Sequence, residues 1–490
     1  MHSRRPFCVR LAFFLATSTA FTFAQSHDAV MQQALSPASP LQENLRVLTD
    51  EIGGRIPGTP AFEQAVQWGV EGSKAAGADS VHTEEFTIPI SWAEGDTEVA
   101  VVAPVKFHVG AHSIAWGPAL KPTTARVVDV GMGTAADFAK VGDVAGAIVL
   151  VQSDVLKTWE DLFQEYFRAP GIIDRARKGN ALAIAFTSSR EHDLLYRHIN
   201  TTTGNIDVIP QVLLAREDSE RIARLLGHGE KVQMSLAIPN RVGPAITTHN
   251  VVAELKGNEL PNEIVILGAH LDSWELGTGA LDNGCNAALV IDALRAIKTA
   301  GIRPKRTMRF ILFSGEEEGL LGSYAYVRAH QKELDNIVAE LVLDEGTGPI
   351  ASFSTGGRKD VDAALAPMVQ PFARWAANQV TDDATVGTDN YDFMMQGVPT
   401  ILPNQQEANY LVNYHATSDT FDKVDFAQLK KNEAMAAELM VELANAPQRI
   451  GPRLTRTQIE ATFRETHLDD QMKGFGLWDD WQNGTRGRKP

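Results

Sequence analysis

Side chains that can bind divalent metal ions or carry protons occur at five places in the second half of the chain. They are His270-Leu271-Asp272, Asp282-Asn283-Gly284, Glu316-Glu317, Asp344 and His415. Zinc accepts imidazole nitrogen and carboxylate oxygen, and two such ions about 3.5–4 Å apart are well served by one bridging carboxylate. Two histidines and three carboxylates would meet that requirement, and the other glutamate could act as a general base on a metal-bound water. The set predicts the two-metal centre of a peptidase.

Three of these places directly follow apolar runs. Residues 262–270, 309–314 and 339–343 contain short apolar stretches of the kind that form buried strands. Helix-like segments lie between them, at about 287–300 and 320–331. This order predicts an α/β fold with a mostly parallel central sheet flanked by helices, whose functional groups meet at the carboxyl ends of the strands.

The motifs around these residues closely resemble those of the co-catalytic zinc aminopeptidase and carboxypeptidase family. The resemblance rests on residues 268–274, 277–284, 303–307, 315–319, 387–390 and 415–420, and it extends from about Leu45 to about Ala446. It implies the zinc exopeptidase fold. The branch that the chain resembles most acts on unsubstituted dipeptides.

Carried over position by position, the resemblance implies two zinc ions as cofactors. One ion would be held by His270 and Asp344, and the other by Glu317 and His415. Asp282 would bridge the two ions. Cobalt or manganese could occupy a similar set of ligands.

The resemblance also implies roles for neighbouring residues. Glu316 would be the catalytic base, and Asp272 would accept the other ring N–H of His270 through its carboxylate and so orient the ring. A cis peptide bond is expected between Asp282 and Asn283. Because three glutamates run in sequence, their assignment depends on the following residues 319–323, and Glu318 is then expected to be a surface charge.

Two later loops, 387–393 and 409–415, are expected to face the substrate. Within them, Asn390, Tyr410 and Tyr414 are candidates to bind the oxyanion of the tetrahedral intermediate or one end of the substrate.

Length predicts more than one domain, since 490 residues exceed the usual size of a single domain. Residues 1–24 have the basic start and apolar centre of a signal peptide, either of the general type or of the twin-arginine type. A discontinuous zinc peptidase domain would comprise residues 28–94 and 245–448. Residues 95–244 resemble an inserted, β-rich protease-associated domain, and residues 449–490 form a C-terminal tail without an assigned role.

Composition agrees with an exported, periplasmic or secreted enzyme. The formal net charge is −16, and removal of the three arginines of the signal peptide would make it about −19. No basic patch suggests nucleic acid as a partner, and the apolar stretch near the start is too short for a membrane span. Cys8 would leave with the signal peptide, so Cys285 is expected to be a packing residue without a disulfide partner.

The function predicted first is a metal-dependent exopeptidase that hydrolyses dipeptides or short peptides. An aminopeptidase of the same family is the first alternative, because the metal ligands do not decide which end of the substrate is held. A glutaminyl cyclase is a weaker alternative, since it would be expected to bind one metal ion. An alternative from another class is a binding protein that keeps the fold and has lost catalysis. Peptides are the expected partners, and a homodimer is left open.

Overall fold

The computed structural model describes residues 28–201 and 204–489. These form two eight-stranded sheets and a two-stranded ribbon of Trp92–Ala93 and Arg241–Val242. The predicted signal peptide lies outside the described residues. Among the residues described, no helix is long and apolar enough to span a membrane.

The first sheet carries the predicted metal ligands. Its strands, in spatial order, are Ser80–Ile88, Ile246–Leu255, Arg306–Phe313, Leu260–His270, Ile337–Val342, Thr400–Gln405, Ile350–Ser354 and Gln379–Thr381. The four strands from Arg306–Phe313 to Thr400–Gln405 are parallel to one another.

The outer parts of this sheet make it a mixed sheet, because three of its seven pairings are antiparallel and four are parallel. Parallel neighbours need a crossover connection of about a dozen residues or more. Residues 343–349 are too few for such a crossover. Strand Ile350–Ser354 therefore lies beyond Thr400–Gln405 and runs antiparallel to it.

Helices cover both faces of the first sheet, so strand Arg306–Phe313 is buried at every position. The larger core packs the sheet against Leu41–Arg46, Pro60–Ala75, Cys285–Thr299 and Phe426–Asn445, and a smaller core on the other face includes Phe313, Tyr326 and Phe393. The remaining helices of this unit are 28–34, Leu321–Ala329, Lys359–Val369, Asn390–Met395 and Tyr410–Asn413. Cys285 is buried and forms no disulfide.

Short segments of 3₁₀ or π type connect these elements, at Val47–Ile52, Leu334–Asn336, Gln370–Trp375 and Phe421–Lys423. The segment Ala280–Gly284 is a kinked turn, because Asp282 and Asn283 have non-helical backbone angles.

The second sheet lies within residues 98–238, inside the range predicted for the insertion. Its strands, in spatial order, are Phe107–His108, Glu98–Ala103, Gln233–Ile238, Leu120–Asp129, Ile148–Val151, Ala183–Thr187, Gln211–Leu214 and Ala111–Ser113. Helices Ala135–Val141, Trp159–Lys178 and Arg216–Gly227 accompany it, so this unit contains more helix than the β-rich prediction expected. Its assignment to the protease-associated type stays a prediction.

The C-terminal tail packs against the first unit. It forms helices Arg456–Thr466, Leu468–Gly474 and Trp478–Asn483. Trp481 is buried in one apolar cluster with Tyr391 and Met395 of the first unit. The tail is therefore part of the folded body.

Candidate metal centre

Three parallel strands bring predicted ligands to one edge of the first sheet. His270 is the last residue of its strand, Asp344 follows Ile337–Val342, and the glutamate run follows Arg306–Phe313. Gly315 makes the turn into that run with φ of 73°, a left-handed conformation that glycine adopts without steric cost. The edge formed by these carboxyl ends is where ligands bind in open α/β sheets.

On one side of the centre, His270 faces two carboxylates. Its Nε2 atom lies 3.0 Å from Oδ1 of Asp344 and 3.2 Å from Oδ1 of Asp282. His270 is 1 % exposed, and all three side chains point into the same space.

On the other side, His415 faces the second oxygen of the same aspartate. Its Nε2 atom lies 3.2 Å from Oδ2 of Asp282 and 2.9 Å from Oε2 of Glu317. The two carboxylate oxygens of Asp282 are thus each directed at a different histidine. All five residues predicted to bind metal meet in this one place.

Negative charge dominates the electrostatics of the centre. Burial raises the pKa of Glu317 to about 7. Burial opposes ionisation of Asp282 as well, but hydrogen bonds with His270 and His415 keep the pKa of its carboxyl below the ordinary value. For His415, burial is outweighed by attraction to Glu317 and Asp282, and the pKa rises to about 9. Such a group of carboxylates around two imidazoles favours the binding of cations.

The loop that carries Asp282 is fixed by a residue that the sequence analysis did not single out. The carboxylate of Asp419 accepts hydrogen bonds from the backbone N–H groups of Ala280, Leu281 and Asp282, at 2.7–3.1 Å. The expected cis peptide bond between Asp282 and Asn283 is present. Asp419 lies within the motif 415–420, but nothing in the sequence alone indicates that it reaches this loop.

Arg55 supports the same loop from the amino-terminal part of the chain. It is fully buried, and its guanidinium donates to the backbone oxygens of Leu271, Thr278 and Gly279. These bonds connect the loop before Asp282 to the residue after His270. Arg55 belongs to a turn-rich stretch, 50–60, in which its role could not be predicted.

The expected contact between Asp272 and His270 differs in detail. Nδ1 of His270 lies 3.0 Å from the backbone oxygen of Asp272 and 3.8 Å from its nearer carboxylate oxygen, Oδ1. The other oxygen, Oδ2, accepts the backbone N–H of Glu317 at 3.2 Å. Because the chain turns directly after the strand, the main chain faces the ring, and the side chain instead positions the glutamate run.

His415 is held by the second unit. Its Nδ1 atom lies 3.0 Å from the backbone oxygen of Arg197, and its own backbone oxygen accepts the N–H of Arg197 at 2.9 Å. His415 has φ of 59°, which is uncommon for a residue other than glycine. Arg197 is itself fully buried and forms ion pairs with Glu94 and Glu275. No signal in the sequence linked residue 197 to the centre.

The glutamate run divides into three environments. Glu317 contacts His415, and Glu316 lines the cavity beside Asp344. Glu318 is fully buried and neither of its oxygens has a hydrogen-bond partner among the described residues, so the expectation of a surface charge is wrong. Burial raises its pKa well above the ordinary value. The turn closed by the backbone oxygen of Glu316 directs this third side chain inward.

A cavity of about 390 Å³ opens onto the centre. Tyr410 and Tyr414 line it as expected, and the ring of Tyr414 stacks on His415 with centroids 3.6 Å apart. The hydroxyl of Tyr414 lies 3.1 Å from that of Tyr166, which comes from helix Trp159–Lys178 of the second unit. Asn390 is buried at the start of its helix and is not among the described residues that line the cavity.

The chain is similar to known peptidases. Residues 250–440 match peptidase family M28. Human carboxypeptidase Q is 26 % identical over 421 residues, which cover 82 % of this chain and 85 % of that protein. Bovine carboxypeptidase Q is 28 % identical with the same coverage. A probable leucine aminopeptidase 2 from Arthroderma benhamiae is 34 % identical over 29 % of this chain and 28 % of its own.

Solved structures show the same fold. A peptidase M28 precursor from Shewanella amazonensis SB2B superimposes with a TM-score of 0.79, at 24 % identity, over 88 % of this chain and all of that one. A zinc aminopeptidase from Bacillus subtilis gives a TM-score of 0.66 at 19 % identity, over 85 % of this chain and 97 % of that one. The predicted resemblance to the zinc exopeptidase family is confirmed, and with it the prediction of a metallopeptidase.

Proposed function

We propose that this relative of family M28 is a two-metal exopeptidase that hydrolyses dipeptides or short peptides. The observation that supports the proposal most is the position of Asp282 between His270 and His415, with one carboxylate oxygen 3.2 Å from the Nε2 atom of each. A carboxylate in this position can bridge two cations.

The residues present suit two zinc ions. Oε1 of Glu317 is buried and has no hydrogen-bond partner in the described part of the chain, as is expected of an atom that binds a cation. In the proposal, His270 and Asp344 hold one ion, and Glu317 and His415 hold the other. The donors are imidazole nitrogens and carboxylate oxygens, which zinc binds readily.

When bound, the two ions supply positive charge that lowers the pKa of a water molecule and polarises the peptide carbonyl. Glu316 accepts a proton from the attacking water at a carboxylate oxygen and delivers it to the nitrogen of the departing amine. Burial and the neighbouring Asp344 and Glu317 raise the pKa of Glu316, which suits a group that must both accept and release a proton. The hydroxyl of Tyr414, held by Tyr166, can donate a hydrogen bond to the oxygen on which negative charge develops.

The charges of the cavity bear on which end of the peptide is held. Besides the residues of the centre, Glu345 and Asp383 line it, and none of its described lining residues is a lysine or an arginine. Burial raises the pKa of Glu345 to about 7. Where these side chains are ionised, they attract the free ammonium group of a peptide and repel its free carboxylate. This observation favours the second candidate, an aminopeptidase, or a dipeptidase that holds the amino end of its substrate.

We also propose that the protein is exported from the cytoplasm.

The proposal is tested by metal content and dipeptide hydrolysis of His415→Ala. We expect the bound zinc to fall from two ions per chain to one, and kcat to fall by at least about 100-fold. His228→Ala, which changes an exposed histidine of the second unit, is the control and should change neither. Unchanged zinc content and unchanged hydrolysis in His415→Ala would contradict the proposed centre.

A further inference from the structure

The C-terminal tail is not explained by the metal chemistry. It lies beyond residues 250–440, which match the peptidase family, and it supplies none of the predicted ligands. Two of its side chains, Phe475 and Leu477, nevertheless line the cavity above the centre. Leu477 is 3 % exposed, whereas Phe475 is only partly buried.

The tail is fastened to two elements that shape this cavity. Gln471 accepts the backbone N–H of Val386 at 3.0 Å and donates to the backbone oxygen of Ala384 at 3.2 Å, so it fixes the loop on which Val386 lines the cavity. Arg486 donates to the backbone oxygens of Gly319 and Leu320, which end the glutamate run. Hydrogen bonds of Gln471 and Arg486, on either side of Phe475 and Leu477 in the sequence, therefore hold the tail against the site.

Aromatic contacts join Phe475 of the tail to the second unit. The ring of Phe475 lies 6.1 Å from that of Phe163 and 5.5 Å from that of Tyr166, measured between centroids. It also meets Phe167 at 5.3 Å. Phe163 is only partly buried and lines the cavity together with Leu162. Two segments that are distant in the sequence thus form one apolar wall.

We propose that this wall is a specificity subsite that receives a bulky apolar side chain of the peptide, and that Phe475 of the tail and Phe163 of the second unit determine it. The partly exposed faces of both rings offer apolar surface that a substrate side chain would cover, which is favourable in proportion to the area removed from water. A glycine residue of the substrate would leave these ring faces exposed to water. The inference rests on the proposed function, since it names the substrate class of the same site.

The test compares kcat/KM for phenylalanine-containing and leucine-containing dipeptides with kcat/KM for glycylglycine. The wild type should prefer the apolar dipeptides by about tenfold or more, and Phe475→Ala should remove about tenfold of that preference while glycylglycine changes little. Phe163→Ala, on the other side of the wall, should act in the same direction. Trp478→Ala is the matched control, because Trp478 lies in the same tail but packs on Phe463 outside the cavity lining.

Calorimetric binding of free phenylalanine and free glycine to the zinc-loaded full chain is the second measurement. Tighter binding of phenylalanine, lost in Phe475→Ala, is the expected result. Equal affinity for the two amino acids, or equal losses for all substrates in Phe475→Ala and Phe163→Ala, would overturn the subsite. If the wild type hydrolyses no peptide, the proposed function fails, and the binding data alone decide on the subsite.

Discussion

At the residue scale, the glutamate run shows how three identical side chains acquire different chemistry. Glu316 faces the cavity, Glu317 contacts His415, and Glu318 is buried without a polar partner. Burial raises the pKa of all three carboxyls. Their roles therefore depend on where each side chain points, because all three residues are glutamates.

Substitution of each glutamate by glutamine separates these roles. Glu316→Gln should retain zinc and lose about 100- to 10,000-fold in kcat, because the proton acceptor is removed. Glu317→Gln should lose the zinc ion on the His415 side, because Glu317 is one of the proposed ligands of that ion. Glu318→Gln should retain both zinc and activity, because Glu318 contacts neither histidine of the centre, and its burial raises the pKa of its carboxyl and so disfavours the charge that glutamine lacks. Metal analysis and steady-state kinetics on the three variants check this order, and full activity in Glu316→Gln would contradict it.

The predicted metal ligands could be named from the sequence because imidazole and carboxylate side chains suit zinc and because the motifs around them resemble the zinc exopeptidase family. The residues that support these ligands could not be predicted in the same way. Asp419 and Arg55 act on the loop of Asp282 through backbone hydrogen bonds, which any sequence offers. The alignment of the glutamate run on residues 319–323 leaves Glu318 without a role at the centre and predicts a surface charge, but the turn after strand Arg306–Phe313 directs this side chain inward, where it is fully buried.

At the scale of elements, the strand ends were predictable and the sheet order was only partly so. Short apolar runs before His270, Glu316 and Asp344 indicate buried parallel strands, and those three strands are parallel. The antiparallel edges depend on the lengths of connections and on the insertion that separates strand Ser80–Ile88 from Ile246–Leu255. Hydrophobic periodicity does not report such pairings.

The junction between the two units can be tested at Arg197. Its guanidinium pairs with Glu94 and Glu275, and its backbone holds His415. Arg197→Ala should lower the free energy of unfolding by about 1.5–3 kcal/mol, because the partly buried Glu94 loses a charged hydrogen bond and the backbone oxygen of Ser113 loses its donor. It should also weaken zinc binding at the His415 side.

Urea denaturation and zinc titration measure these two effects of Arg197→Ala. Arg177→Ala, at a largely exposed position in helix Trp159–Lys178, is the control and should leave both values unchanged. Wild-type stability and zinc affinity in Arg197→Ala would show that the junction does not support the centre.

An ion pair at the end of helix Leu321–Ala329 gives a pH-dependent prediction. His330 lies 3.0 Å from Glu84 and 2.9 Å from Glu333, and their attraction outweighs burial and the nearby Arg309, so the pKa of His330 is raised. Its stabilising effect should be complete below the unfolded-state pKa of about 6.5 and should disappear as the pH rises through the higher folded-state pKa.

The measurement compares His330→Gln with the wild type by urea denaturation at two pH values. The loss of stability in His330→Gln should be larger near about pH 6 than near about pH 9, because only the charged imidazole is stabilised by the two glutamates. A loss that grows with pH would contradict the raised pKa.

At the scale of the whole molecule, the site is shared by three parts of the chain. The first unit supplies the predicted ligands, the second unit holds His415 and contributes Tyr166, and the tail forms part of the cavity wall. The sequence predicted the ranges of these parts but no role for the tail. Docking of a tail depends on complementary surfaces that no local pattern encodes.

Arg486 tests whether the tail is a fixed part of the fold. It pairs through two nitrogens with the fully buried Asp392, at 2.8 and 2.6 Å. Arg486→Ala should lower the free energy of unfolding by about 3–5 kcal/mol, and the double variant Arg486→Met with Asp392→Leu should recover much of the loss, since no buried charge is then left unpaired. Lys489→Ala, at an exposed position, is the control for denaturation measurements. A tail that contributes nothing would give wild-type stability in Arg486→Ala.

The central claim, a two-metal exopeptidase, is tested most directly by measuring zinc per chain together with hydrolysis of free dipeptides, amino-blocked dipeptides and aminoacyl-anilides, with and without a chelator. We predict two zinc ions per chain and cleavage of substrates with a free amino end, abolished by the chelator and restored by zinc. Two bound zinc ions without hydrolysis of any substrate would contradict this account and favour a binding protein, and hydrolysis that persists after complete removal of metal would exclude the proposed centre.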